Sequence, residues 1–432
     1  MTLRNKVHAG LYLYKTLLAT IMAAPLMACT PTQSTASKFD ASTMDDFLSN
    51  AVTSGEVIGV SALIFKSGQS VYKGAFGLRD REQNKPVELD TVWRIYSMTK
   101  PITSAVIMDL QDEGKLSLSD PVIQYIPELV DMLVAQKGED GKPVMAPQKQ
   151  PMTLEDLMLH RAGLAYGIFG DVNPVETLYA KAGLFDPSET LETKMTKLSK
   201  LPLITQPGQA WYYSYSIDVL GRIAEIVTRQ RFGDILKERI FDPLGMDETG
   251  FYVKPNQKAR FATNYIQRKN GTYKKIENQP ALNSDSFLTE NAFQSGGGGL
   301  ISTQDDYAKF AQMMLSGGVY NGERILKKTT VQTMMSDQMG DNPTFLFPWL
   351  GEDTHKSFGY GGSIVIKETP EHIARTGEGL DQWGWSGAAR TTFWIDPPND
   401  SFGILMLQFF SEEDPTIHQN FRALAYDLIT NE

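Results

Sequence analysis

β-forming residues gather at the two ends of this chain, and that distribution limits its fold more than any other feature. Near the N-terminal end, "VIGVSALIFKSGQSVYKGAFG" gives two β-branched and aromatic runs around the turn Ser67-Gly68-Gln69, a hairpin pattern. Near the other end, "RTTFWIDPPND" and "SFGILMLQFF" give two more runs joined by a Pro-Pro-Asn-Asp turn. A hairpin alone is marginal in water, so the simplest packing joins both ends in one antiparallel sheet. Helical spacing fills other stretches: 39–55, Lys100 to Glu113 with its stop at Gly114, "TLEDLMLHRAGL", "IDVLGRIAEIVTRQ", "TQDDYAKFAQMMLSGG" and about 415–429. The polar, Gly/Pro-rich stretch 133–151 is predicted as a loop. The expected class is α+β, an antiparallel sheet flanked by helices with a mostly helical region inserted. An α/β part would take about 39–125 and 296–432 and a helical part about 126–295, with a site in the cleft between them.

With 432 residues, 41% of them hydrophobic, the chain can bury a core of that size. A net charge of −10, with no Lys/Arg cluster interleaved with aromatics, argues against nucleic acid as a partner. The segment 1–28 is set apart. It carries Arg4, Lys6 and Lys15, no acidic residue, and an apolar run from Thr16 to Ala28, which is a signal-peptide pattern. Its end, Leu26-Met27-Ala28-Cys29, resembles a bacterial lipobox, in which the cysteine is lipidated; an ordinary signal peptide is the alternative. Residues 29–38 read as a flexible tether and 39–432 as the catalytic body. Cys29 is the sole cysteine, so no intrachain disulfide or Cys-based metal site is possible. Five unclustered histidines give no metal site either, and no cofactor is implied. The expected location is export, with a lipid anchor in a bacterial membrane facing the periplasm, or a soluble periplasmic or secreted form.

Ser-x-x-Lys occurs twice. Ser70 and Lys73 fall in a predicted strand, where residues three apart face opposite sides. Ser97 and Lys100 open a predicted helix, where residues three apart share a face. Pro101 is tolerated in a first helical turn, and a helix N-terminus offers free N–H groups and positive potential beside Ser97. Ser97 is therefore the candidate nucleophile. A rival is Ser386 in "GWSGA", near the Gly-x-Ser-x-Gly elbow pattern with His418 downstream. Too little chain follows Ser386 to build the rest of that fold.

The blocks "WRIYSMTKPITS", "TLEDLMLHRAGL", "PGQAWYYSYSIDVLG", "FDPLGMDETGF", "GGGGLISTQDDYAKFAQMMLSGG" and "GWSGAARTTFWIDP", in this order, resemble the serine β-lactamase and penicillin-binding-protein superfamily. They are most similar to its class C-related branch of family VIII carboxylesterases. The resemblance spans about Phe39 to the C-terminus. It implies that Tyr213 joins Ser97 and Lys100 as a catalytic residue. Tyr215 stands where the family pattern has an asparagine amide, and is expected at the substrate. For the third block, Trp385-Ser386-Gly387 precedes a strand as in the esterase branch, while Arg375-Thr376-Gly377 is closer by letter to Lys-Thr-Gly. The former is preferred. The resemblance also places the oxyanion hole at the N–H groups of Ser97 and Ala388.

These residues imply acyl transfer through Ser97, with either Lys100 or Tyr213 as base. Trp385 in place of a lysine favours neutral esters over anionic substrates, although Arg375 or Arg390 could restore a charge. The expected function is hydrolysis of short- to medium-chain carboxylic esters through an acyl-serine. A β-lactamase or D-Ala-D-Ala peptidase is the alternative on the same fold. A non-catalytic binding protein would have no need of all three residues. "TFLFPWL", 344–350, reads either as an acyl-pocket lining or as a buried plug. His160 reads as a structural hydrogen-bonder.

Overall fold

An eight-stranded antiparallel sheet takes strands from both ends of the sequence. Its spatial order is 356–358, 363–365, 383–386, 392–396, 401–406, 59–66, 69–80, 85–86. This is a computed structural model; it describes residues 41–430 apart from 139–142, 171, 278–285, 341–345, 348–350, 353–354 and 412–414. The segments 1–28 and 29–38, with Cys29, lie outside the described residues. So does most of "TFLFPWL", of which only Leu346–Phe347 is described, as a short strand paired with Gly351–Glu352. Residues Phe39–Glu432 form one compact unit.

Strand alternation explains the layers. From the Gly59–Lys66 strand, Leu63 and Phe65 face one core with Phe393, Ile395, Phe402 and Ile404. Val60, Ala62 and Ile64 face the other, with Trp394 and Leu405. The N-terminal helix Ala41–Thr53 and the last helix Ile417–Thr430 cover the second face through Leu48, Ala51, Ile417 and Phe421. The first face meets the helices Thr99–Asp112 and Gln304–Leu315, and its core runs on without a break into the helical region around Ser216–Thr228.

The helix starts follow side-chain chemistry. Thr153 caps Leu154–Met158 through a capping box with Asp156, and Thr303 caps Gln304–Leu315 by accepting the Asp306 N–H. One expectation is corrected. The stretch 133–151 is not all loop, because Val134–Lys137 pairs with Pro143–Ala146 as an antiparallel hairpin. Each strand is only four residues long, within a stretch rich in Gly, Pro, Lys and Gln, so periodicity alone hid them.

At the sheet centre Gly403 lies opposite Trp394, and a Cβ added to Gly403 would stand 2.2 Å from the indole. The ring fills that space and packs edge-on against Phe421, 5.4 Å between centroids. Gly403→Ala is expected to cost about 1–3 kcal/mol through overpacking. Chemical denaturation would measure this, and an unchanged midpoint would mean that the indole is free to move away.

Candidate active site

Ser97 sits at the junction of two backbone forms. The short strand Val92–Arg94 ends at Ile95, a 3-10 turn spans Tyr96–Met98, and the helix Thr99–Asp112 begins immediately after. Tyr96, just before Ser97, has φ +42°, a left-handed conformation that costs a non-glycine residue free energy. Its surroundings hold it there. Its hydroxyl accepts from Asn264 Nδ2 at 2.7 Å, and its ring packs edge-on against Phe287 and Phe410. Pro101 lies in the first helical turn, where its missing N–H goes unneeded.

Two side chains meet at the Ser97 hydroxyl, and a third holds one of them. Tyr213 Oη donates to Ser97 Oγ at 2.8 Å, and Lys100 Nζ donates to it at 3.1 Å. Trp385 Nε1 donates to Tyr213 Oη at 3.3 Å. Trp385 lies in the strand Trp383–Ser386, so the third block begins on a strand beside the serine turn. The indole N–H is a donor only, so the Tyr213 oxygen accepts this bond while its own proton goes to Ser97.

Lys100 is almost fully buried and needs acceptors. Gly297 carbonyl accepts from Nζ at 2.6 Å, and Tyr166 Oη lies 3.4 Å away. The glycine-rich loop holding that carbonyl is tied down from both sides. Thr103 Oγ1 donates to Gly296 O at 2.8 Å and Leu300 N–H to Thr99 Oγ1 at 3.1 Å, which bind the loop to the serine-bearing helix. Asp218 accepts Ser295 Oγ–H at 2.5 Å and Gly297 N–H at 3.3 Å. A Cβ on Gly297 would lie 2.5 Å from Asp218 Oδ2, so only glycine lets the loop approach this closely. Burial pushes the Asp218 carboxyl above the usual carboxylate range, against the Ser295 hydroxyl and the Lys100 charge, which draw it down.

Another close approach brings the Trp383–Ser386 strand to the Ser97 turn. A Cβ on Gly387 would stand 2.2 Å from Thr391 Oγ1 and 2.5 Å from the Ile95 carbonyl. This lets the Trp383–Ser386 strand end against the Ser97 turn, and Ser97 and Ala388 border the same cavity. That cavity holds about 290 Å³ and has aromatic walls, among them Phe185, Phe251, Phe287, Phe293 and Phe410.

The other expected site residues fall differently. Tyr215 is a correction. It is fully buried, its hydroxyl donates to the Leu184 carbonyl at 3.0 Å, and its ring backs Tyr166 and Phe185. It therefore supports the cavity wall from behind and does not reach substrate. Trp385 reaches Tyr213 and is not among the residues lining the cavity. Ser386 is exposed and donates to Thr392 Oγ1 at 2.9 Å. Its rival partner His418 bonds the Arg390 carbonyl instead. Arg375-Thr376-Gly377 closes a helix, Pro370–Thr376, with Gly377 at φ +67°, and is no strand. The Arg390 guanidinium is held by Ser411. Ser70 bonds the Tyr72 carbonyl, and Lys73 pairs with Asp305.

Tyr166, Asp218 and the Gly297 carbonyl were not foreseen. Two signals pointed to them: a carboxylate within the otherwise apolar helical run "IDVLG", and four consecutive glycines.

A serine bonded to both a lysine amine and a tyrosine phenol, on an antiparallel sheet flanked by helices, is the arrangement of β-lactamase-like serine hydrolases. The chain belongs to the Beta-lactamase family, whose model matches residues 44–427. It is 32% identical over 363 residues to the uncharacterised protein MT1414 of Mycobacterium tuberculosis, covering 82% of this chain and 86% of that one. It is 26% identical to the esterase EstB of Burkholderia gladioli over 80% of this chain and 84% of the other. Among solved structures, EstCE1, a hydrolase with promiscuous acyltransferase activity, superposes with a TM-score of 0.73 at 25% identity. That match covers 89% of this chain and 98% of EstCE1.

His160, at φ +52°, supports Tyr213 from behind, with 4.8 Å between ring centroids. Its Nδ1 accepts the Ser214 N–H at 3.2 Å, which leaves the ring proton on Nε2. Burial, and then the Lys100 charge, hold His160 well below the usual histidine range, so it stays neutral in the folded protein. Below about pH 6.5 the unfolded chain takes a proton here that the folded chain refuses. Wild-type stability is thus lost as pH falls, by up to about 1.4 kcal/mol per pH unit from this group. The stability gap between wild type and His160→Gln is expected to narrow from pH 7 to pH 5 in urea titrations. A constant gap would contradict a neutral His160.

Proposed function

We propose that this protein is a serine carboxylesterase that hydrolyses short- to medium-chain neutral esters through an acyl-Ser97 intermediate. The observation that carries this reading is the double hydrogen bond at Ser97 Oγ, to Tyr213 at 2.8 Å and Lys100 at 3.1 Å, at the edge of an uncharged aromatic cavity. Ser97 Oγ attacks the ester carbonyl and its proton passes to Lys100 or Tyr213. The oxyanion is taken by the N–H groups of Ser97 and Ala388. Collapse breaks the bond to the leaving alkoxide, which regains the proton from the same pair. Water, deprotonated by that pair, then attacks the acyl-serine and releases the acid and free Ser97.

The substrate side rests on charge. Among the described residues, no lysine, arginine or histidine lines the cavity. The carboxylate of a β-lactam or D-Ala peptide would find no cationic side chain on these walls among the described residues. Neutral esters carry no such unmet charge.

Turnover of p-nitrophenyl acetate and butyrate is expected to exceed that of a chromogenic cephalosporin and a D-Ala-D-Ala peptide. Ser97→Ala should lower it by more than about 1,000-fold. Cephalosporin turnover well above the esters would reverse the substrate assignment. Trp385→Phe, which keeps an aromatic side chain and removes one hydrogen bond of about 1 kcal/mol, should lower kcat roughly three- to tenfold; an unchanged kcat would leave the indole N–H without a role.

Location forms part of the same proposal. The leader 1–28 and Cys29 support export and lipid anchoring. Cys29→Ser is expected to move the protein from the membrane fraction to the soluble one, and an unchanged distribution would refute the anchor.

A further inference from the structure

The aromatic cavity assigns the two halves of the substrate, given the esterase reading above. In the tetrahedral intermediate the former carbonyl carbon carries four groups: Ser97 Oγ, the oxyanion, the leaving oxygen and the acyl carbon. The oxyanion lies toward the N–H groups of Ser97 and Ala388. The leaving oxygen must face Lys100 and Tyr213, the pair that returns its proton. Ser97 and Ala388 border the cavity, whereas Lys100, Tyr213 and Trp385 do not. Of the four directions, the cavity is therefore left for the acyl carbon.

The walls define what that acyl group is. Phe251, Phe287 and Phe293 stand among its aromatic lining, and Ile168, half exposed, lies on its solvent side. No Asp, Glu, Lys, Arg or His lines it among the described residues. Its polar members are already engaged: Ser295 Oγ donates to Asp218, and Asn291 Nδ2 donates to the Ser286 carbonyl. Tyr166, on the wall nearest Lys100, is held by burial well above the ordinary phenol range and stays neutral. At about 30 Å³ per molecule of liquid water, a cavity of about 290 Å³ has room for several waters. An acetyl group would leave most of it unfilled.

We infer that this cavity is the acyl subsite and that its preferred occupant is a bulky, uncharged arylalkanoyl group of the phenylacetyl kind. Such a group expels water from apolar walls and meets the rings edge-on or offset. One well-placed methylene in a fitted apolar pocket already gives about 10-fold discrimination or more, so a whole ring should give at least that.

Two ester series separate the halves. The first varies the acyl group at a constant leaving group: p-nitrophenyl acetate, butyrate and phenylacetate. The second varies the alcohol at a constant acyl group: phenyl acetate and 2-naphthyl acetate. The expected result is a kcat/KM for phenylacetate at least about 10-fold above acetate, with less than about threefold change across the alcohol series. Phe251→Ala and Ile168→Arg should each lower the phenylacetate-to-acetate ratio at least about fivefold; Ile168, half exposed, tolerates replacement without disturbing the fold. A flat acyl series, a rise confined to the alcohol series, or a ratio unmoved in both variants would overturn the assignment while leaving the esterase reading intact. Absence of any Ser97-dependent ester turnover would instead overturn the esterase reading itself.

Discussion

The site is built around a lysine placed where lysines rarely go. Lys100 is 1% exposed and sits in the first turn of a helix whose other side chains are mostly apolar and buried. A buried amine without acceptors is costly, so the surrounding structure has to supply them. Gly297 carbonyl does so at 2.6 Å and Ser97 Oγ at 3.1 Å, and the rings of Tyr213 and Tyr166 flank the amine at 4.6 and 5.2 Å. Each of these partners comes from a different part of the chain. Satisfying one side chain thus fixes the serine turn, the glycine-rich loop and the Trp211–Tyr215 stretch relative to one another.

Asp218 continues the same logic one layer out. It is buried, it holds the glycine loop through Ser295 and Gly297, and one of its oxygens finds no hydrogen-bond partner among the described residues. Its charge and that of Lys100 lie in the same water-poor interior, where each lowers the cost of the other. On the opposite side of Tyr213, His160 bonds the Ser214 main chain and presses its ring against the phenol. The tyrosine is thereby fixed by main chain, by an aromatic neighbour and by the Trp385 N–H at 3.3 Å. Chemistry that depends on the direction of one phenol oxygen requires such over-determination. The backbone strain at Tyr96 and His160 belongs to the same construction, because only a well-packed surround sustains it.

The fold is shared with solved structures such as EstCE1, and in this chain the walls of the cavity are aromatic. Tyr213 and Lys100 both bond the Ser97 hydroxyl at the edge of that cavity. Phenylalanines contributed by separated segments, Phe185, Phe251, Phe287, Phe293 and Phe410, set what surrounds it. Trp385 illustrates the division. Its indole bonds the Tyr213 oxygen and stands outside the residues that line the cavity.

Local pattern made much of this legible. Strand alternation in 59–66 and 401–406, the Thr153 and Thr303 caps, and the helix at Thr99–Asp112 all depend on residues a few positions apart. The same short-range geometry separated Ser97 from Ser70, since strand and helix present residues three apart in different directions. Block order then brought in Tyr213 and Trp385. The sequence misled at Tyr215, whose place in a motif suggested substrate contact but whose ring turns away into the core toward Leu184. It was silent on the Gly297 carbonyl, because a main-chain oxygen has no letter, and on the aromatic cavity, whose walls are scattered along the chain. What the sequence by itself determined was which groups can react. Where each one points, and which acyl group they meet, depends on contacts between residues far apart in the chain, and those exist only once the sheet has closed and the glycine loop has packed against the serine-bearing helix.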